Sequence, residues 1–221
     1  MQFFLDTANI DEIKEAKSWA ILDGVTTNPS HIVKEGRKFI PIVEEICDLL
    51  PDGEISVEVT ATDLNGILKE ARQFVKIRKN VVVKIPLIKE GIKAIHILSQ
   101  EGIRINTTLC FSAMQALIAA KVGSACISPF VGRLDSVGTD GMELVRQIRH
   151  IYDRFGFKTK LLAAALRHPM HVLDSALAGA DIATMRFDIM EQLFLHPFTD
   201  LGLEQFLNDW KKLQPGIKQK N

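Results

Sequence analysis

Leu5-Asp6-Thr7-Ala8-Asn9 follows the first apolar run of this chain and contains no glycine. Eight short apolar runs recur along the chain, and each is followed by a segment with helical periodicity. Strands that alternate with helices predict a parallel sheet, which either stays open or closes into a barrel. An open nucleotide-binding sheet needs a glycine-rich phosphate loop after its first strand, and this turn lacks one. The sequence therefore predicts an α/β protein with a (β/α)₈ barrel, the TIM barrel fold.

The predicted strands are short and are spaced along the whole chain. They lie at residues 3–5, 24–27, 55–59, 81–85, 103–108, 126–130, 160–165 and 182–185. Apolar residues three and four positions apart predict helices over 64–75 and 142–152, and Gly156 suits the end of the second. No linker or low-complexity stretch interrupts this order. We therefore expect a single barrel domain over residues 1–221, with an extra C-terminal helix at about 200–213.

The composition excludes several classes of protein. Of the 221 residues, 47% are hydrophobic and 24% are charged, which is typical of globular proteins rather than disordered chains. Lysine plus arginine and aspartate plus glutamate each number 27, so no basic excess is present to bind nucleic acid. No apolar run is long enough to span a membrane, and the first residues lack the layout of a signal peptide. Cys47, Cys110 and Cys126 are widely spaced, which indicates free thiols and a cytoplasmic protein.

Polar residues stand near the ends of several predicted strands. Side chains alternate along a strand, and barrel enzymes place their chemistry at the C-terminal ends of strands. If Val81 and Val83 face the helices, Lys84 points into the barrel. The same alternation turns a further set of residues inward: Asp6, Ser56, Glu58, Asn106, Thr108, Ser128 and Phe130. Because a barrel interior is otherwise filled with branched apolar side chains, this convergence predicts an active site.

Lys84 lies at the centre of the predicted site. A lysine among valines loses hydration, and desolvation favours the neutral amine, which attacks a carbonyl to form a Schiff base. A buried ion pair with Glu58 or Asp6, without chemistry, is the alternative interpretation. If Lys84 is reactive, the two carboxylates are candidates for proton transfer and for holding water.

The histidines do not predict a metal site. His168 and His171 flank Pro169 and Met170 without a cysteine pair or an accompanying carboxylate, which is typical of a helix start after the seventh strand. We assign His31 and the remaining histidines to surface or packing positions. Neither a metal nor a cofactor is expected.

Three segments carry a resemblance to a known family. They are Leu5-Asp6-Thr7-Ala8-Asn9, Gly24-Val25-Thr26-Thr27-Asn28-Pro29-Ser30 and Val83-Lys84-Ile85-Pro86. The chain resembles transaldolases over nearly its whole length, and in particular the small single-barrel subfamily that also contains the fructose-6-phosphate aldolases. The resemblance implies a class I aldolase-like barrel whose Lys84 forms a Schiff base with a ketose phosphate. It also implies transfer of a dihydroxyacetone unit from sedoheptulose 7-phosphate or fructose 6-phosphate to glyceraldehyde 3-phosphate or erythrose 4-phosphate, in the non-oxidative pentose phosphate pathway.

The same resemblance implies roles for the other site residues. Asp6 corresponds to a proton-transfer aspartate, and Glu58 and Thr108 correspond to a pair that positions a catalytic water. The residues that correspond to substrate contacts are Asn28, Asn106, Ser128, Arg133 and Arg167, the two arginines being phosphate ligands. The expected partners are therefore phosphorylated sugars.

Subunit association is also implied by the resemblance. Relatives form ring-like homo-oligomers, a decamer among them, in which the C-terminal helix packs on a neighbouring subunit. Leu203, Phe206, Leu207 and Trp210 form an apolar stripe that fits this packing, or packing against the chain's own barrel.

Four positions bear on phosphate binding and on the reaction type. The family usually has serine where this chain has Ala165. It more often has an apolar residue or proline where this chain has Arg186, and Arg186 is expected to lie either at the barrel mouth or on the outer surface. Aldolase relatives have glutamine at the position of Glu58 and tyrosine at that of Phe130. The sequence therefore favours a transaldolase over the two alternatives, a fructose-6-phosphate aldolase and a catalytically weak phosphosugar-binding barrel.

Overall fold

The computed structural model describes residues 1–213, in which eight parallel strands close into a barrel. The strands are β1 (Gln2–Asp6), β2 (Gly24–Thr26), β3 (Glu54–Glu58), β4 (Val81–Pro86), β5 (Ile105–Cys110), β6 (Cys126–Pro129), β7 (Lys160–Ala163) and β8 (Ile182–Met185). Each strand pairs with the next one along the chain, and β8 pairs with β1. The predicted (β/α)₈ barrel is confirmed.

Strand β5 departs most visibly from the predicted pattern. The sequence predicts it over 103–108, whereas it spans Ile105–Cys110. Its register against β6 shifts between Thr107 and Cys110, and Leu109 has a positive φ of 58°. Simple alternation does not predict such an irregularity, which redirects side chains at the end of a strand.

The barrel interior holds an apolar cluster and a belt of polar residues. The cluster consists of Phe4, Cys126, Leu162, Ala164 and Ile182. Gly24 makes room for it, because a Cβ at this position would stand 2.7 Å from the Phe4 ring. In the polar belt, Lys84 pairs in register with Glu58 on β3 and with Asn106 on β5. The predicted alternation therefore places these three residues side by side.

Helices surround the barrel and pack their apolar faces on it. They are α1 (Ile10–Ser18), α2 (Pro29–Lys34), α3 (Phe39–Leu49), α4 (Leu64–Phe74), α5 (Lys89–Gln100), α6 (Ala113–Lys121), α7 (Val131–Asp135), α8 (Gly141–Phe155), α9 (Pro169–Leu177), α10 (Phe187–Gln192) and α11 (Pro197–Leu213). Helix α8 buries Val145, Ile148 and Tyr152 and ends at Gly156, whose φ of 66° suits glycine. Helix α9 begins at Pro169, as the sequence predicts.

Helix α11 differs from the others because none of its residues is buried. Leu203, Phe206, Leu207 and Trp210 are 57%, 72%, 51% and 59% exposed, so this stripe does not pack on its own barrel. Residues 214–221 of the predicted domain lie outside the described part of the chain. Within residues 1–213, no helix is both long and apolar enough to cross a membrane.

Candidate active site

A cavity of about 440 Å³ opens at the C-terminal ends of the strands. This volume falls within the range of small-molecule sites, roughly 300–1,000 Å³. The predicted site residues that line it are Asp6, Asn28, Glu58, Lys84, Ser128, Phe130, Arg133 and Arg167. Asn106 and Thr108 are buried beside it without forming part of its wall.

Lys84 and Glu58 form an ion pair at the cavity wall. Lys84 Nζ lies 3.0 Å from Glu58 Oε2, and the two side chains are only 6% and 13% exposed. Lys84 Nζ also donates to the carbonyl oxygen of Thr27 at 3.2 Å. The alternative of a buried ion pair is thus present in the structure, and the same contact supplies a carboxylate that can accept the amine proton.

Asp6 is held by a chain of hydroxyl groups from neighbouring strands. Thr26 Oγ1 donates to Asp6 Oδ1 at 2.8 Å. Thr26 Oγ1 also lies 2.6 Å from Thr184 Oγ1, which must therefore be the donor in that contact. Thr26 and Thr184 were not among the predicted site residues, although both belong to strands that border the first strand.

A second hydrogen-bonded group crosses β3, β5 and β6. Asn106 Nδ2 donates to Ser56 Oγ at 3.1 Å, and Ser128 Oγ donates to Asn106 Oδ1 at 2.6 Å. All three side chains are buried. Both ends of the Asn106 amide are therefore fixed, and Ser128 links this buried group to the cavity wall.

Thr108 has a buried hydroxyl without a protein partner. Its Oγ1 atom makes no hydrogen bond to any described residue. A buried polar atom without a hydrogen bond lowers the stability of the fold by about 1–3 kcal/mol. We therefore expect the Thr108 hydroxyl to bond to a partner from outside the chain, such as water.

Asn28 caps helix α2 and contacts a histidine that the sequence did not assign to the site. Asn28 Oδ1 accepts from the backbone N–H of His31 at 3.1 Å, and Asn28 Nδ2 lies 3.3 Å from His31 Nε2. His31 lines the cavity, and its Nδ1 atom is 3.9 Å from Asp6 Oδ1. The assignment of His31 to a surface or packing position was therefore wrong. Burial lowers the pKa of His31, an effect that the Asp6 carboxylate opposes.

Arg133 and Arg167 approach the cavity from the segments after β6 and β7, Arg133 from the short helix α7 and Arg167 from a loop. Arg133 Cζ stands 4.9 Å from the centroid of the Phe130 ring, which supports the guanidinium. The backbone N–H of Arg167 donates to His171 Nδ1 at 3.2 Å, and His171 Nε2 lies 3.1 Å from Asp135 Oδ2 at the end of α7. His171 thus bridges the two segments that carry the arginines, and its pKa is lowered, mainly by burial.

Two departures from the family pattern are also located at the cavity. Ala165 lines it with a φ of 57° and supplies no hydroxyl. Arg186 lines it as well, which excludes the alternative of a position on the outer surface. The Arg186 guanidinium makes two hydrogen bonds to Asp188, at 2.9 and 2.6 Å, so much of its charge is neutralised locally.

His168 and His171 have structural partners of their own. His168 caps helix α9 by accepting from the backbone N–H of His171, whose ring bonds as described above. Among residues 1–213, no cluster of three or more histidine, cysteine, aspartate or glutamate side chains is arranged to hold a metal ion.

The sequence is similar to proteins of known families. The sequence model of the family described as transaldolase/fructose-6-phosphate aldolase matches residues 3–217. A protein of Hydrogenobaculum sp. named probable transaldolase is 56% identical over 213 residues, which cover 96% of this chain and 98% of the relative. A probable transaldolase of Dictyoglomus turgidum is 58% identical over 96% of this chain and 99% of its own length. A probable transaldolase of Petrotoga mobilis is 52% identical over the full length of both chains.

Proposed function

The chain belongs to the transaldolase/fructose-6-phosphate aldolase family, and we propose that it is a transaldolase that works through a Schiff base on Lys84. The donor is sedoheptulose 7-phosphate or fructose 6-phosphate, and the acceptor is glyceraldehyde 3-phosphate or erythrose 4-phosphate. These reactions belong to the non-oxidative pentose phosphate pathway. The observation that carries the proposal is the buried contact of 3.0 Å between Lys84 Nζ and Glu58 Oε2 on the wall of the cavity.

The first stage of the proposed reaction joins the donor to Lys84. The Lys84 ammonium passes a proton to Glu58, and the neutral amine adds to the C2 carbonyl of the ketose phosphate. Glu58 then protonates the C2 hydroxyl, which leaves as water, and an iminium remains. The unpartnered hydroxyl of Thr108 supports a role in holding this water with Glu58.

The second stage breaks and remakes a carbon–carbon bond. Asp6 takes the proton of the C4 hydroxyl, the C3–C4 bond breaks, and its electron pair passes to the iminium to give an enamine. The aldose phosphate leaves and an acceptor aldose phosphate binds in its place. The enamine carbon attacks the acceptor aldehyde, Asp6 returns its proton to the new hydroxyl, and water releases the ketose from Lys84. The protein supplies orientation and placed charges to each of these steps.

The polar residues around Lys84 support recognition of a phosphorylated sugar. Asn28 and Ser128 stand on the cavity wall as hydrogen-bonding groups for sugar hydroxyls, and Asn106 is fixed directly behind Ser128. Arg133 and Arg167 offer planar guanidinium forks, which match the geometry of a phosphate group.

Reduction by borohydride tests the covalent step. When borohydride is added with fructose 6-phosphate, we expect a stable adduct on Lys84, located by peptide mapping. An adduct on a different lysine would contradict the assignment of Lys84. No adduct on any lysine, together with binding of the sugar phosphate, would favour the phosphosugar-binding barrel instead.

Phe130 and Glu58 support transfer over release of free dihydroxyacetone. The Phe130 ring packs edge-on against Phe111, with centroids 5.7 Å apart, and has no hydroxyl to hold a water or protonate the enamine. The three-carbon unit then stays on Lys84 until an aldehyde arrives. Glu58 can exchange protons with water during imine formation, which a glutamine does poorly.

Parallel assays of the two reactions test this preference. The wild type should form sedoheptulose 7-phosphate from fructose 6-phosphate and erythrose 4-phosphate much faster than it releases dihydroxyacetone. Phe130→Tyr, alone or with Glu58→Gln, should raise the ratio of aldolase to transferase activity, whereas Phe111→Tyr is the matched control. Equal wild-type rates, or an unmoved ratio in Phe130→Tyr, would contradict this assignment.

We further propose that the protein works in the cytoplasm as a homo-oligomer that associates through α11. Exposed apolar side chains along this helix support the association, since an isolated chain would leave them in water. Sedimentation velocity should show an oligomer for the wild type and smaller species for Phe206→Asp. The buried free thiols of Cys47 and Cys110, whose pKa values burial raises to about 12, are consistent with a reducing compartment.

A further inference from the structure

His31 stands between two residues that the proposed reaction uses. It follows the strand β2 in helix α2 and lies on the cavity wall next to Asn28. Its ring reaches toward Asn28 on one side and Asp6 on the other. The reaction described above assigns no role to this side chain.

The hydrogen bonds of Asn28 determine which nitrogen of His31 carries the proton. Asn28 Oδ1 accepts from the backbone N–H of His31, so the group that faces His31 Nε2 at 3.3 Å is the amide NH₂. An amide NH₂ only donates, and Nε2 must therefore accept. In the neutral ring the hydrogen is consequently on Nδ1.

This Nδ1–H is a donor that lacks a partner. It is shielded from solvent and bonds to no described residue. Asp6 Oδ1 is 3.9 Å away, which is too long for a hydrogen bond but within reach of a small rotation of the ring. Since a buried donor without a hydrogen bond is unfavourable, a contact with the carboxylate is favoured.

We propose that His31 is a positioning residue that orients Asp6 and Asn28 for the reaction, with Nδ1–H donating to Asp6 Oδ1 while Nε2 holds the Asn28 amide. Thr26 donates to the same Asp6 oxygen, so Oδ2 is the oxygen left to exchange a proton with the C4 hydroxyl. This inference rests on the proposed transaldolase function, because it gives His31 a role only through Asp6 and Asn28.

Protonation of His31 disrupts this arrangement. A hydrogen on Nε2 would face the Asn28 NH₂ group, and two donors at 3.3 Å repel each other. The charged and titratable groups around the ring are Asp6 on β1, Glu12 on α1, Lys34 on α2 and Lys84 on β4. Burial and the two lysines lower the pKa of His31 below its ordinary value of 6.5, against the two carboxylates. The neutral ring therefore persists at neutral pH and is lost as the pH falls below 6.5 through the lowered pKa.

The test measures kcat against pH for the purified full chain with saturating fructose 6-phosphate and erythrose 4-phosphate. His31→Leu removes both contacts, and kcat should fall about tenfold, as expected for loss of one hydrogen bond to a charged group. His31→Gln keeps an acceptor and a donor without titrating, so it should retain most of kcat and lose the decline at acidic pH. His96→Gln, on the exposed face of α5, is the matched control and should behave as the wild type.

Two outcomes would overturn the role of His31. One is wild-type kcat in His31→Leu, and the other is an unchanged acidic decline in His31→Gln, which decides the question even if His31→Leu fails to fold. Borohydride trapping on Lys84 is measured in parallel. If trapping is normal and the His31 variants have the kcat and pH dependence of the wild type, only the role of His31 is refuted. If no adduct is trapped in the wild type, the proposed function itself is refuted.

Discussion

The two sides of the cavity, one built on strands and the other on the connections that follow β6 and β7 (the loop side), hold their functional side chains in different ways. On the strand side, Lys84, Glu58 and Asn106 lie in register on adjacent strands and are buried or nearly so. On the loop side, Arg133 and Arg167 have exposed side chains, and what is fixed is the backbone that carries them.

This difference matches what each side must do. Making and breaking covalent bonds requires donor and acceptor atoms within a fraction of an ångström of their places, which strand-borne side chains bonded to one another provide. Attraction of a phosphate group acts over longer distances and tolerates mobile guanidinium groups. Loss of the strand side should therefore abolish turnover, and loss of the loop side should weaken binding.

The largest effect is expected for Lys84→Met. The nucleophile has no substitute, so kcat should fall by several orders of magnitude, and the borohydride adduct should disappear. Lys76→Met, an exposed lysine after α4, is the control and should leave kcat unchanged. If kcat of Lys84→Met stays within tenfold of the wild type, the strand side is not required for turnover, and the proposed difference between the two sides is contradicted.

Arg133→Ala and Arg167→Ala should act on binding rather than on turnover. Each charged hydrogen bond contributes about 1.5–3 kcal/mol, so KM for phosphorylated sugars should rise roughly 10- to 100-fold. Reaction of dihydroxyacetone with an unphosphorylated aldehyde should change little, and Arg72→Ala on the outer wall serves as the control. Equal losses with both kinds of substrate would show that these arginines do not recognise phosphate.

His171 tests whether the loop side depends on its backbone support. The pKa of His171 is lowered from its ordinary value of 6.5. The neutral ring, which accepts the hydrogen bond from the Arg167 N–H, is therefore present at neutral pH and is lost as the pH falls through the lowered pKa. KM for fructose 6-phosphate should therefore rise several-fold on acidification in the wild type, as loss of one neutral hydrogen bond implies. His171→Asn, which keeps an acceptor but does not titrate, should show a flatter KM profile. A profile identical to that of the wild type would contradict the support role.

Ala165→Ser should give the smallest change. If its hydroxyl reaches the phosphate, one neutral hydrogen bond contributes about 1 kcal/mol and lowers KM about fivefold. Ala165→Gly adds no hydroxyl but relieves the positive φ of 57°, so KM should stay constant while thermal stability rises slightly. An unchanged or higher KM in Ala165→Ser would place the phosphate away from this residue.

The same contrast explains how much of the site was predictable from the sequence. Alternation of side chains along a strand follows from backbone geometry. Lys84, Glu58 and Asn106 each alternate with valines or isoleucines that face the helices, so their inward orientation could be predicted from the sequence. The roles of Arg133 and Arg167 came only from a resemblance to a family. Arg133 lies in the short helix α7 and Arg167 lies in a loop, so neither follows the alternation of a strand. The positions of both segments depend on the elements that they pack against.

The alternation of eight apolar runs with helical segments, and the absence of glycine in the first turn, were enough to predict the barrel from the sequence. Its family was indicated separately, by the resemblance of three sequence segments to transaldolases. The tertiary structure alone decided that His31 faces Asp6, that His171 joins the two arginine segments, and that Arg186 lies at the cavity. Each of these contacts involves a residue from a helix or from the segment before one, and the position of a helix on the barrel is set by packing. The alternation along a strand depends only on residues that are adjacent in the sequence, whereas the packing of helices on a closed sheet depends on the whole chain.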